Sequence, residues 1–268
     1  MDENIKEVEA SDHVRLPIGY EVDGVRYRDV IIDELTGIDD HLVVSKKVGK
    51  NTAKATSLVL CRTIQEIVGA VPMKKNPESL LSNHIVQQMY GPDRDYLLSR
   101  VYMLSGRDQI MLAGECPRCG RIYEEQTRIV DLDVVEWDED APCELDFELE
   151  VGLLEMKGDQ RVYHKNGTLV FPRGKIQELS GEIDNPIEAI DSLMCSCIKQ
   201  IGTLSSVSKD QVKRLKSRDR ESIMATIQNE FPGLHPWKEV KCDCGRHYDV
   251  RADLSAFFGG RRKKGKDS

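Results

Sequence analysis

The chain has 268 residues, 40% of them hydrophobic and 31% charged, and a formal net charge of −8. These proportions are those of a soluble globular protein with one large core or two small ones, and the acidic balance argues against general nucleic-acid binding. No apolar run is long enough to span a bilayer, and the start Met1-Asp2-Glu3-Asn4 lacks the apolar stretch of a signal peptide.

Residues 1–20 read as an irregular arm. Val25 to Leu35 reads as a strand, because Val25, Tyr27 and the Val30-Ile31-Ile32 run are strand formers. A helix is predicted over 52–68, with Leu60, Ile64 and Ile67 on one face, Gly69 at its end, and Pro72 and Pro77 in the break that follows. A short helix follows over 78–88. The next starts at Asp93 as its N-cap and carries Leu97, Val101 and Leu104 on one side. Strands flanking Cys116 to Gly120 would form a hairpin around that turn.

Residues 131–160 begin with a strongly acidic stretch, and Glu144 to Glu150 then alternates as a strand does, with Leu145, Phe147 and Leu149 on one side. Asn166-Gly167 reads as a hairpin turn leading into Thr168 to Phe171. Asn185, Pro186 and Glu188 form a helix start with a capping box, and Ile187, Ile190, Met194, Ile198 and Ile201 continue at helical spacing. Helices over 208–215 and 219–230 follow. Pro232 and Pro236 close the last before a second cysteine turn.

The two cysteine turns share a pattern. Cys116-Pro117-Arg118-Cys119-Gly120-Arg121-Ile122-Tyr123-Glu124 and Cys242-Asp243-Cys244-Gly245-Arg246-His247-Tyr248-Asp249 both run to Cys-Gly-Arg-x-Tyr-acid. Asp93-Arg94-Asp95 precedes the first and Asp219-Arg220-Glu221 the second at the same interval. Ile64-Gln65-Glu66-Ile67 before Gly69 is matched by Ile198-Lys199-Gln200-Ile201 before Gly202, and Gly24 to Glu34-Leu35-Thr36-Gly37 by Gly167 to Glu178-Leu179-Ser180-Gly181. Agreement in order points to an internal duplication. The expected fold class is α+β: two related lobes of helices and short antiparallel hairpins, joined by a four-cysteine, zinc-ribbon-like site. The expected division is an arm over 1–20, a first lobe over 21–135, an acidic join and strand over 136–160, a second lobe over 161–258 and a basic tail over 259–268.

Two half-sites of two thiols make one tetrahedral thiolate site, so Cys116, Cys119, Cys242 and Cys244 are the candidate ligands of one structural zinc per chain. Four cysteines fill the coordination sphere and leave no position for activated water. Arg118, Arg121, Lys241 and Arg246 stand close enough in sequence to offset the thiolate charge. Other readings stay open at this point. The second turn, one spacer residue short, could bind nothing, His235 or His247 could replace a ligand, or each lobe could bind its own metal with a partner chain. A redox role for Cys116 and Cys119 fits less well, because strand-like sequence follows the motif. Cys61, Cys195 and Cys197 read as core residues, and Cys143 has no assigned role.

No phosphate loop, dinucleotide fingerprint, His-Glu-x-x-His or Gly-x-Ser-x-Gly occurs, which argues against an enzyme. Catalytic and cofactor-binding residues are therefore none, apart from the metal.

The order of short motifs carries a family resemblance. Glu34-Leu35-Thr36-Gly37 with Asp39-Asp40 leads to Cys61-Arg62-Thr63-Ile64 and Gly69, then to Asp93-Arg94-Asp95-Tyr96-Leu97-Leu98 with Arg100. Ser105-Gly106 with Asp108 and the Cys-Pro-x-Cys-Gly turn complete it. This resembles the baseplate and tail-assembly proteins of contractile-tailed bacteriophages, in particular the T-even-type baseplate hub family, over 24–133 and more loosely over 167–258. The resemblance implies a structural or assembly protein of the tail baseplate, with other phage tail proteins as partners and no membrane, nucleic acid or small-molecule substrate. It would be located in the virion, or in the host cytoplasm during assembly. The competing reading is a zinc-ribbon module that binds nucleic acid through the arginines at the turns and the basic run Arg261 to Lys266.

Overall fold

The computed structural model describes residues 13–37, 39, 51–76 and 78–252. Residues 1–12 of the expected arm and the basic tail lie outside them. Val14, Leu16, Ile18 and Tyr20 alternate along the chain and are all buried. They make residues 13–20 part of a strand, β1 (His13–Val22), and not an irregular arm. A tight turn at Asp23-Gly24, both at positive φ, leads into β2 (Val25–Ile32), which pairs antiparallel with β1.

The helix expected over 52–68 divides. Helix α1 (Thr52–Thr63) is capped by the Asn51 side chain, which accepts from the Lys54 N–H at 3.1 Å. At Ile64 the backbone turns extended and β3 (Ile64–Ile67) begins, pairing Val30 with Ile67 and Ile32 with Ile64. Ile64 and Ile67 are fully buried either way, and β-branched residues favour the ladder over the last helical turn. Helix α2 (Asn83–Gln88) and helix α3 (Gly91–Leu104) follow. Asp93 does not cap α3, which starts two residues earlier with Pro92 in its first turn. Its buried carboxylate accepts the N–H groups of Ile18 at 2.8 Å and Gly19 at 2.9 Å, where β1 bulges and Gly19 takes φ 116°. The acid satisfies two donors that the bulge removes from the ladder.

The hairpin β4 (Gln109–Glu115) and β5 (Ile122–Arg128) surrounds the first cysteine turn, as expected, and β6 (Val134–Val135) comes after it. The acidic join runs into β7 (Glu144–Lys157), which pairs with β8 (Gln160–Val170). Their turn lies at Gly158-Asp159, so the hairpin expected at Asn166-Gly167 is corrected. Gly167 sits inside β8 because a Cβ there would meet the Phe147 ring at 2.5 Å and the Gln200 carbonyl at 2.7 Å. Its role is close packing, not turning.

Helix α4 (Gly174–Ser180) precedes α5 (Pro186–Cys197), which Asn185 caps by accepting from Ile187 N–H at 3.0 Å and Glu188 N–H at 3.4 Å. The chain again turns extended, and Ile198 and Ile201 belong to β9 (Ile198–Ile201), not to the helix. Helices α6 (Lys209–Arg214) and α7 (Ser217–Asn229) lead to β10 (Gly233–Leu234), β11 (Trp237–Lys241) and β12 (His247–Ala252).

The fold is thus mixed helix and strand, with seven named helices and antiparallel sheets ordered β1-β2-β3, β7-β8-β9, β11-β12-β4-β5 and β10-β6. The halves share a build. Both α1 and α5 have 12 residues and run directly into a strand of four. Asp219, fully buried at the start of α7, accepts from Val151 and Gly152 N–H at 3.0 Å each, at a bulge in β7 where Gly152 takes φ 98°.

The halves also interlock. Ile18 of β1 packs in the core of the second half with Leu149, Leu169 and Phe171. From the second half, α4 sits on the first. The Glu178 carbonyl accepts from Asn51 Nδ2 at 2.8 Å, and its carboxylate accepts from the Ser57 hydroxyl and, at 2.7 Å, from Gln87 Nε2. Arg94, fully buried on α3, donates to Gln177 Oε1 and the Ala53 carbonyl at 2.9 Å each. Gly174 makes room, since a Cβ there would lie 2.1 Å from the Arg94 guanidinium.

Candidate metal centre

Ile110 and Leu112 anchor β4 in the core of the first half. The strand therefore delivers Cys116 at a fixed place as it leaves the sheet. The chain then folds back. Gly120 N–H donates to the Cys116 carbonyl at 2.9 Å and Cys116 N–H to the Arg121 carbonyl at 2.9 Å. The second turn closes the same way, with Gly245 N–H on the Cys242 carbonyl at 2.8 Å and Cys242 N–H on the Arg246 carbonyl at 2.9 Å. Gly120 and Gly245 take φ 70° and 83°, which side-chain-bearing residues rarely adopt.

The two hairpins join edge to edge. Pairs Arg251–Ala113 and Ala252–Leu112 hold β12 against β4, so both turns emerge at one end of a single four-stranded sheet. Gly114 permits the approach, because a Cβ there would lie 2.9 Å from Val250 Cγ1.

The four sulfurs meet as a result. All four Sγ atoms lie within 4.8 Å of one another. Cys116 Sγ is 3.7 Å from Cys244 Sγ, and Cys119 Sγ is 3.5 Å from Cys242 Sγ. A tetrahedron with metal–sulfur bonds of about 2.3 Å has S···S edges of about 3.8 Å, whereas a disulfide needs about 2.05 Å. The two shortest contacts fall near that edge and far outside disulfide length, so the four free cysteines could hold one divalent ion. The missing spacer residue in the second turn does not keep Cys244 out of the cluster.

The electrostatics agree. Burial opposes ionisation of Cys116, but N–H donors from Arg118 and Cys119 and the neighbouring thiols outweigh it and bring the thiol down to about 6. At Cys119 the Arg121 N–H favours the thiolate, but hydrogen bonds to Cys242 and Cys116 dominate and push it up to about 11. One thiolate is favoured and a second resisted, which is the problem a bound cation solves. Around the sulfurs, Arg118 Nη1 donates to the Cys244 carbonyl at 3.2 Å, and Arg121 forms an ion pair with Asp243. Each arginine of the first turn thus grips the second.

Of the alternative ligands, His235 lies 3.1 Å from the Phe231 carbonyl and His247 3.6 Å from Glu239, and neither joins the cluster. Cys61 and Cys197 are buried, and desolvation raises their thiols to about 11 and about 12, as suits core residues. Cys195 is half-buried and donates to the Val207 carbonyl at 2.9 Å, and Cys143 accepts from Arg26. Sequence reasoning missed Gly114 and the bulge-closing part of Asp93 and Asp219. The signal for the aspartates was present, as an identical Asp-Arg-acid at the same interval before each turn.

No curated protein and no solved structure matches the chain. A family model described as T4 bacteriophage base plate protein matches residues 58–259, a span that begins within α1 and takes in both cysteine turns. With most of its length matched, the chain belongs to the T4 bacteriophage base plate protein family.

Proposed function

We propose that this chain is a structural or assembly component of a contractile phage tail baseplate that contacts other baseplate subunits, its two halves stapled by one structural zinc. The observation that carries the zinc is the cluster of four Sγ atoms within 4.8 Å, drawn from turns far apart in sequence. Zinc would supply charge neutralisation and rigid tetrahedral geometry, and Cys116, Cys119, Cys242 and Cys244 would hold it. A site with four thiolates is full, which suits a staple and not a catalyst. Arg118 and Arg121 are engaged across the two turns, which favours a closed structural unit over an arginine surface for nucleic acid. No helix among the described residues is long and apolar enough to cross a membrane.

The shared build supports an origin by duplication, with a first lobe over 21–135, a join over 136–160 and a second lobe over 161–258. The paired bulge-closing aspartates, Asp93 and Asp219, are the strongest support, because a buried acid on two N–H groups at a strand bulge is not a generic helix feature. The protein would act in the virion baseplate, or in the host cytoplasm while the baseplate is assembled.

Metal content per chain, measured on the native protein and on Cys116→Ser, tests the zinc. One zinc per native chain, lost in the variant, is the expected result, and a native chain without metal would refute the staple. Presence of the chain in purified baseplates, or only in assembly intermediates, decides between component and factor.

A further inference from the structure

Two exposed apolar patches lie on the second half, and their charged rims are opposite in sign. The first is on the β7–β8 hairpin beyond the bulge. Leu154 pairs with Tyr163 and Met156 with Arg161, so these four share one face, and Lys165 follows Tyr163 on the same side. Leu154, Met156 and Tyr163 are 44%, 57% and 48% exposed. The second patch is on α4 and α5, where Leu179, Ile187 and Ile190 are 49%, 66% and 41% exposed. Asp184 and Glu188 border it and are exposed.

Arg161, Lys165, Asp184 and Glu188 form no ion pair with another described residue. Of the adjacent charges, Lys157 pairs with Glu155 and Glu182 with Lys54, while Asp159 at the hairpin tip and Lys175 one turn before Leu179 are exposed and leave the first rim net positive and the second net negative. Clustered large apolar side chains at this exposure are unfavourable in water and mark contact surfaces. Pairing either patch with its own copy would oppose like charges. Pairing one with the other matches apolar centre to apolar centre and two cations to two anions.

We propose that the protein associates with a second copy of itself head to tail, the hairpin face Leu154–Met156–Tyr163 of one copy seating on the α4–α5 face Leu179–Ile187–Ile190 of the next. A contact of this kind is heterologous. It leaves one unused patch at each end and therefore grows into a closed ring or an open string. The inference does not depend on the metal site.

Sedimentation of the full-length chain over a range of micromolar concentrations tests it. The mass should exceed one chain and rise with concentration. Reversing the cations (Arg161→Glu with Lys165→Glu) or the anions (Asp184→Lys with Glu188→Lys) should each weaken association about tenfold or more. All four substitutions in one chain should bring it back to within about threefold of the native value, because the rims match again. Ile187→Ser with Ile190→Ser should weaken association at unchanged net charge. Circular dichroism and melting temperature identify any variant that fails to fold, and since every changed residue is exposed, native-like values are expected. A native chain that is monomeric throughout overturns the proposal, as does association that ignores the single-rim reversals or is not restored in the four-fold variant.

Discussion

Helices α1 and α5 begin alike, yet near the start one is covered and the other exposed. Each is capped by an asparagine and runs directly into a short strand. At matching places after the cap, Thr56 is 5% exposed on α1 and Ile190 is 41% exposed on α5. The cover on α1 is α4, supplied by the other half. The same asymmetry reaches the two arginines. Arg94 is sealed in a cage with Gln177, Ser57 and the Ala53 carbonyl, whereas Arg220 pairs with Asp191 at a partly exposed position. One local build therefore serves two ends. Where the second half reaches over, it locks the chain together, and where no other described element covers α5, an apolar face is left outside.

The largest blow to the locked arrangement should come at the proposed zinc staple. With zinc held there, Cys242→Ser, or treatment with a strong chelator, would remove binding energy on the order of 10 kcal/mol, comparable with the whole stability of an ordinary domain. Loss of metal together with release of β11 and β12, read by hydrogen exchange, is expected. An unchanged melting temperature would separate the halves' union from the cysteines.

The arginines sharpen the comparison directly. Arg94→Ala strands the Gln177, Ser57 and Ala53 acceptors that its guanidinium serves and should cost about 3–5 kcal/mol in denaturant unfolding. Arg220→Ala, at the wetter pair, should cost about 1–3 kcal/mol. Equal costs would mean that α4's cover adds nothing to Arg94.

The aspartates should behave as equals in one respect. Asp93→Ala and Asp219→Ala each strand two N–H groups and should cost about 2–4 kcal/mol. Asp93 also brings pH dependence. Burial raises its carboxyl from 3.8 to about 7 against the two N–H bonds that favour ionisation. Because the folded value lies above the unfolded one, the stability this group contributes is complete below pH of about 4 and lost as pH rises through about 7. Unfolding at pH 4.5 and 7.5 should show that decline, and Asp93→Asn should flatten it. Gly114→Ala, where the new methyl presses on Val250, should cost about 1–3 kcal/mol, as little as Arg220→Ala, and leave metal content unchanged.

The cysteine turns were legible because thiol pairs followed by glycine leave few alternatives, and the repeated flanks tied one pair to the other. The mixed fold class was legible because strand-like alternation over Glu144 to Glu150 and an asparagine-capped helix start at Asn185 are local patterns. Strand β1 was not, because Pro17 and Gly19, poor strand formers, stand between its alternating apolar residues at the very bulge that Asp93 closes. Ile64 and Ile67, like Ile198 and Ile201, are spaced so that helix and strand both bury them, and only pairing with β2 or β8 decides. Asp93 looks like a cap because an acid near a helix start satisfies N–H groups. Here the groups belong to another element. Asn166-Gly167 has turn chemistry, but its glycine answers to Phe147.

The separation of the two cysteine turns also sets an order of events during synthesis. Cys119 and Cys242 lie 123 residues apart, and at about 5–20 residues per second the ribosome needs about 6–25 seconds to deliver the second turn after the first. For that interval Cys116 and Cys119 form an open half-site, able to hold a metal only with borrowed ligands. Capture of the last hairpin can come only after that interval, and a chain truncated before Cys242 would keep the first thiol pair without the second.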